Sequence, residues 1–321
     1  MLACGKSGKR PFFQADISGL ENVNIRIGRY ENMLFGIKPE NLTCEIEPFV
    51  EEFRVFLGDE IYTQEGQQKL LAYITDSLNI TLYKDSRKFW QNVGDLEKGL
   101  SRAFQYYRYH FPDEEIPQVF TYISGLDYKY PVKYQQNVLV IGVDLYLGMN
   151  YNFYSRIGVP KYMRFFMQPS FAIVDVFKEL GQKHLRYYST IPESFIDFMI
   201  HEGKLLYFLD CMLPTTPDSL KIGYTREQMD WIIKNTGFVW SFFLENQMLY
   251  SSDRRAITKF LGDSPFTAPF GNNSPPKTAA YIGWQIVREY MRKNGQVSLP
   301  QLLANPNSQE ILTKSGYRPK R

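Results

Sequence analysis

The spacing of apolar and polar residues changes several times along the chain, and each change predicts a different element. Val23, Ile25 and Ile27 alternate within Asn22–Ile37, which reads as a strand or a hairpin closed by a turn at Pro39 and Asn41. From Pro48 to Lys98 the apolar residues come in short groups, which predicts several short helices, one near Gly66–Asn79. Phe89, Val93, Leu96, Leu100, Phe104 and Tyr107 then recur at helical spacing and predict one long amphipathic helix over Asp85–Tyr109.

Two strand patterns follow. Val119–Ser124 is rich in β-branched and aromatic residues, and Asn137–Val143 is a continuous apolar run, as expected of a strand covered on both faces. Helical periodicity then dominates, near 169–185, 192–211, 225–248, 252–261, 277–294 and 298–304. Thr225-Arg-Glu-Gln228 is a capping-box start, and prolines at 214–217, 265–269 and 275–276 punctuate the helices. No internal repeat is visible. The fold class expected is α+β, predominantly α-helical, with a small central sheet followed by a helical half. Residues 1–22 read as a flexible leader and 306–321 as a basic tail. Residues 23–305 read as one globular domain, with an N-terminal α+β half (23–150) and a C-terminal helical half (151–305).

Composition narrows the function classes. With 44% hydrophobic and 22% charged residues the chain is globular, and its aromatic residues (16%) are spread throughout, as in a core and its shell rather than a groove. A net charge of +3, dispersed along the chain, argues against nucleic acid as a partner. The basic ends (Lys6, Lys9, Arg10; Lys314, Arg318, Lys320, Arg321) would suit an anionic membrane surface. Cys4, Cys44 and Cys211 make neither a disulfide framework nor a zinc knuckle. The longest apolar stretch, Val138–Gly148, is interrupted by Asp144 and is too short to span a bilayer. Cys4 follows Leu2-Ala3 and precedes Gly5-Lys6-Ser7-Gly8, which looks like a bacterial lipoprotein processing site with Cys4 as the lipid-bearing residue.

The most suggestive chemistry is half a motif. Met199-Ile-His-Glu-Gly-Lys-Leu205 begins like His-Glu-x-x-His, in which two imidazoles one helical turn apart bind zinc, but Leu205 stands where the second ligand is needed. Phe195, Met199, Glu202, Leu206 and Leu209 share one helical face, which sets Glu202 in an apolar stripe and flanks it with His201 and Leu205. A carboxylate there needs a partner. The preceding helix carries Val174, Asp175, Lys178 and Glu179. No Gly-x-Ser-x-Gly elbow or phosphate loop is present, and Cys44 and Cys211 have no histidine at a telling spacing. Asp144 is expected to cap a turn or line a cleft, with Tyr146 and Lys277 as further groove candidates. Gly283, beside Trp284 inside a helix, predicts a close helix–helix contact.

A strand pair, a helix and a second helix bearing Glu202-Gly203 resembles the layout of the Glu-zinc metalloproteases, whose third ligand is a Glu on that second helix. The closest register puts Val174, Asp175 and Lys178 at the His, Glu and His positions, so the resemblance implies a site without its metal, in which Lys178 pairs with Glu202. A shifted register sets Asp175 and Glu179 beside Glu202, a carboxylate set for a hard cation. Four longer segments, Val140–Gly148, Gly203–Asp210, Tyr224–Trp231 and Ser274–Arg288, resemble the gliding-motility lipoprotein GldB family over roughly residues 20–305. That resemblance implies a lipid-anchored, periplasm-facing envelope protein whose partners are the membrane and other envelope proteins, and the missing histidines make the expected role non-catalytic, without cofactor or metal. The alternatives are a metal-dependent hydrolase using the carboxylates and a periplasmic peptide- or glycan-binding module. The last would expose Tyr146, Tyr151, Phe153 and Tyr154 in a groove.

Overall fold

The computed structural model describes residues 11–188 and 191–319; Cys4, with Lys6, Lys9, Arg10, Lys320 and Arg321, lies outside them. The chain folds into two compact units. A sheet unit takes Asn22–Arg102 and Glu115–Glu179, and a helical unit takes residues up to Glu21, Ala103–Glu114 and Leu180 onward. The division falls elsewhere than the halves 23–150 and 151–305, because 103–114 group with the helical unit and 151–179 with the sheet unit. The class is α+β and predominantly helical, as the periodicity predicts.

The sheet unit opens with β1 (Ile27–Arg29) and continues through the helices α1 (Tyr30–Leu34), α2 (Leu42–Ile46), α3 (Arg54–Leu57), α4 (Gln64–Thr75) and α5 (Ser77–Phe89). Next come α6 (Gly94–His110), β2 (Gln118–Tyr122), β3 (Val132–Gln135) and β4 (Val138–Gly142). Helices α7 (Asn152–Arg156), α8 (Lys161–Arg164) and α9 (Pro169–Tyr188) complete the series, α6 and α9 giving their later residues to the helical unit. The strands form one mixed sheet in the order β1-β2-β4-β3, with β3 alone antiparallel. Val119 pairs with Leu139 and Thr121 with Ile141. Leu139 and Ile141 are fully buried, and Val138 and Val140 pack on a core cluster that includes Tyr30, Leu34, Phe53 and Phe120, so β4 is covered on both faces as its apolar run predicts.

Three local expectations change. Asn22–Ile37 makes no hairpin: β1 is only three residues long, pairs in parallel with β2 and runs straight into α1. The single helix expected over Asp85–Tyr109 breaks into α5 and α6. Trp90 leaves the helical conformation and donates its indole N–H to the Val143 carbonyl, while the Asn92 side chain accepts from the Gly94 N–H to open α6. Strand β3 lies outside the two strand patterns of the sequence. Gln136 and Asn137 adopt φ of 47° and 62° and form the two-residue hairpin turn to β4, so Asn137 belongs to the turn rather than the strand.

The helical unit contains α10 (Phe195–Met212), α11 (Asp218–Ile222), α12 (Arg226–Glu245), α13 (Arg254–Leu261), α14 (Thr278–Lys293), α15 (Leu299–Ala304) and α16 (Ser308–Ser315). The capping box at Thr225 and Gln228 is formed. Residues 306–319, within the expected tail, contain α16, which packs on α14 and α10, with Ile311 fully buried. Phe195, Phe243, Phe260 and Phe270 interlock as one ring cluster, which accounts for aromatics as core. Among the described residues no helix is long and apolar enough to cross a membrane.

Candidate functional site

In the sheet unit, α9 is held by its apolar residues, and Phe171, Val174, Val176 and Phe177 are fully buried. Asp175 sits among them. Its Oδ2 accepts from the Tyr146 hydroxyl at 3.0 Å and its Oδ1 lies 3.7 Å from Lys178 Nζ. Burial raises the Asp175 pKa from its ordinary value, against Lys178 and the Tyr146 hydroxyl, which lower it. Tyr146 is therefore no groove residue: it is buried, its hydroxyl is committed to Asp175, and burial drives its own pKa well up. Tyr154 is fully buried too, and its hydroxyl donates to the Asp144 carbonyl at 2.7 Å. Tyr151 and Phe153 are half-buried, Tyr151 donating to Asp85. Glu179 is half-buried at the end of this stretch.

Asp144, fully buried, works as a clamp on the turn after β2. Its Oδ1 accepts from the Ser124 N–H at 2.7 Å, and its Oδ2 accepts from the Ser124 hydroxyl and the Leu126 N–H, both at 2.9 Å. Gly125 and Leu126 have φ of 68° and 65°, so the clamp fixes a turn that leucine would not choose. Burial raises the Asp144 pKa and these bonds lower it. An amide can supply only one accepting oxygen, so Asp144→Asn is expected to cost about 2 kcal/mol in urea-denaturation stability.

In the helical unit, α10 is apolar nearly all round. Residues 203–212 are all buried, and the single stripe expected to contain Glu202 is replaced by burial on every side. Glu202 and His201 are only half-buried, in the turn before that stretch. Burial pulls the His201 pKa down, against the opposing charge of Glu202. Gly203 faces Gly283 of α14, where a Cβ at either position would overlap backbone of the other helix, so the close contact expected at Gly283 is present. Lys277 enters α14 at φ 50° and pairs with Asp263 at 2.6 Å, and the Tyr224 hydroxyl donates to the Pro276 carbonyl. Lys277 therefore has a salt-bridge partner of its own within the helical unit.

Sequence reasoning missed the most strongly bonded polar group here. Asp210, fully buried, accepts from Lys221 Nζ (2.8 Å), Trp284 Nε1 (2.8 Å), and Arg288 Nε and Nη2 (both 2.7 Å). Arg288 reaches on to Asp218 with two more bonds, and its guanidinium lies 3.8 Å from the Trp284 ring centroid. Burial works against the charge of Arg288, but the bonds it donates to Asp218 and Asp210 outweigh this and raise its pKa. The acid lies on α10, the bases on α11 and α14, and no local spacing links them.

Two histidines of this unit, His110 and His184, are packing groups. His184 Nε2 lies 3.0 Å from the Tyr107 hydroxyl, and its ring stacks on Phe111 at 4.1 Å. Burial, with the charge of Lys183, pulls its pKa to about 4; burial alone does the same for His110. A folded-state pKa below the unfolded value near 6.5 gives stability that is complete above pH 6.5 and lost as pH falls toward 4. Denaturation at stepped pH should show proton uptake on unfolding across this window, and His184→Gln should reduce it.

The residues expected to form a vestigial metal site are divided between the units: Val174, Asp175, Lys178 and Glu179 in one, His201 and Glu202 in the other. Among the described residues no group of three or more His, Cys, Asp or Glu side chains could hold a metal ion. Val174 has no donor atom, and Asp175 is already bonded to Tyr146. No curated protein and no solved structure matches the chain. A family model does, described as gliding motility protein GldB, over residues 12–319. With nearly its whole length matched, the chain belongs to the gliding motility protein GldB family.

Proposed function

We propose that this protein is an envelope component of gliding motility, lipid-anchored at Cys4 and facing the periplasm, and that it acts by binding or scaffolding other envelope proteins rather than by catalysis. Family membership supports the motility setting. The observation that carries the non-catalytic reading is the state of Asp175: the carboxylate that the closest metalloprotease register sets at the Glu position is bonded to Tyr146 and set beside Lys178, with fully buried Val174 as its neighbour. A water-activating metal needs several converging donors and an open coordination position. The alternative hydrolase requires Asp175, Glu179 and Glu202 to converge, and the absence of a metal-competent group among the described residues counts against it. The buried rings of Tyr146 and Tyr154 count against a binding groove at that place.

Two measurements test the proposal. Mass spectrometry of metals after gel filtration of natively purified protein is expected to find none at stoichiometric level. Stoichiometric metal lost in Asp175→Ala and Glu202→Ala would restore an enzyme. Fractionation of cells expressing Cys4→Ser should move the protein out of the membrane fraction; unchanged membrane retention removes the anchor assignment.

A further inference from the structure

Lys204 is the buried charged group of the Met199–Leu205 stretch, and the scaffolding role leaves it unused. It is 4% exposed. Its Nζ donates to the carbonyls of Asn305 at 2.5 Å and Leu303 at 3.4 Å, at the end of α15, and it makes no ion pair with a carboxylate among the described residues. An ammonium has three N–H donors, so one remains for another acceptor, and the buried charge lacks a counter-charge. Burial pulls its pKa down to about 8, which still leaves it mostly protonated at neutral pH.

Lys204 lines a cavity of about 280 Å³ together with Asp197, Ile200, His201, Pro192 and Pro306. Asp197, His201 and Lys204 stand at i, i+4 and i+7 on α10, so the backbone positions that carry the carboxylate and the ammonium lie about two helical turns apart, roughly 10 Å along the axis. Asp197 is held in place by the Ser194 N–H (2.9 Å) and hydroxyl (2.6 Å). Burial opposes its charge, but the Ser194 bonds, with smaller contributions from the Ser308 side chain and the Glu193 backbone, outweigh it and lower its pKa, so it is ionised at neutral pH. Exposed Glu193 adds a second negative charge to the lining. The walls between are apolar (Ile200, Pro192, Pro306), with the imidazole of His201 midway. Negative charge beside Asp197 disfavours a polyanion, and the cavity is at the small end for ligand pockets.

We propose that this cavity binds a small zwitterion of dipeptide size, its carboxylate on Lys204 and its ammonium on Asp197, with His201 bonding the amide between. The site is independent of anchoring at Cys4 and of the scaffolding role.

The test is calorimetric titration of the full chain with L-alanyl-L-alanine, N-acetyl-L-alanine and L-alaninamide. The dipeptide is expected to bind one site with a Kd of about 1 mM or tighter, and the two singly charged probes about tenfold more weakly or worse. Lys204→Met should abolish binding. Asp197→Asn keeps the oxygen that accepts from Ser194 but removes the charge; it should weaken the dipeptide about tenfold and leave N-acetyl-L-alanine unchanged. Circular dichroism melts establish that each variant is folded, and if Lys204→Met is not, Asp197→Asn decides alone. No heat with the dipeptide overturns the proposal. So does equal affinity for N-acetyl-L-alanine, or dipeptide affinity unchanged in Asp197→Asn.

Discussion

Gly283→Ala should lower the stability of the protein by about 3 kcal/mol or more, or prevent folding of the helical unit altogether. The reason is geometric. A methyl at Gly283 would overlap the Met199 carbonyl oxygen and its carbon, which are backbone atoms of α10 and cannot rotate away as a side chain would. Relief therefore requires α10 and α14 to move apart along their whole contact, opening space around Trp284, Ile286 and Leu206, all buried at or near 5% exposure or less. Gly203→Ala should behave alike, since its methyl would strike the Gly283 carbonyl. Gly295→Ala is the control, because nothing lies within 4 Å of the added carbon, and it should stay within about 0.5 kcal/mol of wild type. Guanidinium denaturation monitored by tryptophan fluorescence and circular dichroism measures all three. A Gly283→Ala protein of wild-type stability would mean that the helices do not cross as described.

Asp210→Ala should cost about 3–5 kcal/mol. It removes the acceptor of four hydrogen bonds and leaves Lys221, 1% exposed, and Arg288 competing for Asp218 alone. The cost lies mainly in the stranded cation, not in the value of the ion pair itself. Asp210→Leu combined with Lys221→Leu should therefore be less damaging than Asp210→Leu alone, because the double variant buries no unpaired ammonium. A double variant as unstable as the sum of the singles would assign the loss to packing rather than charge.

Much of this architecture can be read directly from the residues. Helices α9, α10, α12, α13, α14 and α15 follow from periodicity, caps and proline punctuation, because those signals are local. β4 follows from its unbroken apolar run. The missed features depend on distant groups or on special backbone. The break at Trp90 depends on a carbonyl 53 residues away at Val143, and β3 depends on a turn built from Gln136 and Asn137 rather than the usual glycine. For the candidate site, the incomplete His-Glu motif draws attention to a stretch of which His201 and Lys204 line a cavity, but it gives no sign of the cavity itself. His201 and Lys204 share a cavity because Pro306 returns to α10 after a hundred residues, and Asp210 finds Arg288 78 residues on. Charge pairing across such separations leaves no periodic trace.

The two glycines at the crossing have a dynamic counterpart. Helices that meet through side chains can adjust by rotamer changes and shed a turn at a time. Where backbone meets backbone no such compliance exists, so α10 and α14 have no intermediate spacing to occupy. Their amides are expected to exchange with solvent only when both helices let go together, which makes the crossing the cooperative unit that sets the lifetime of the folded helical unit.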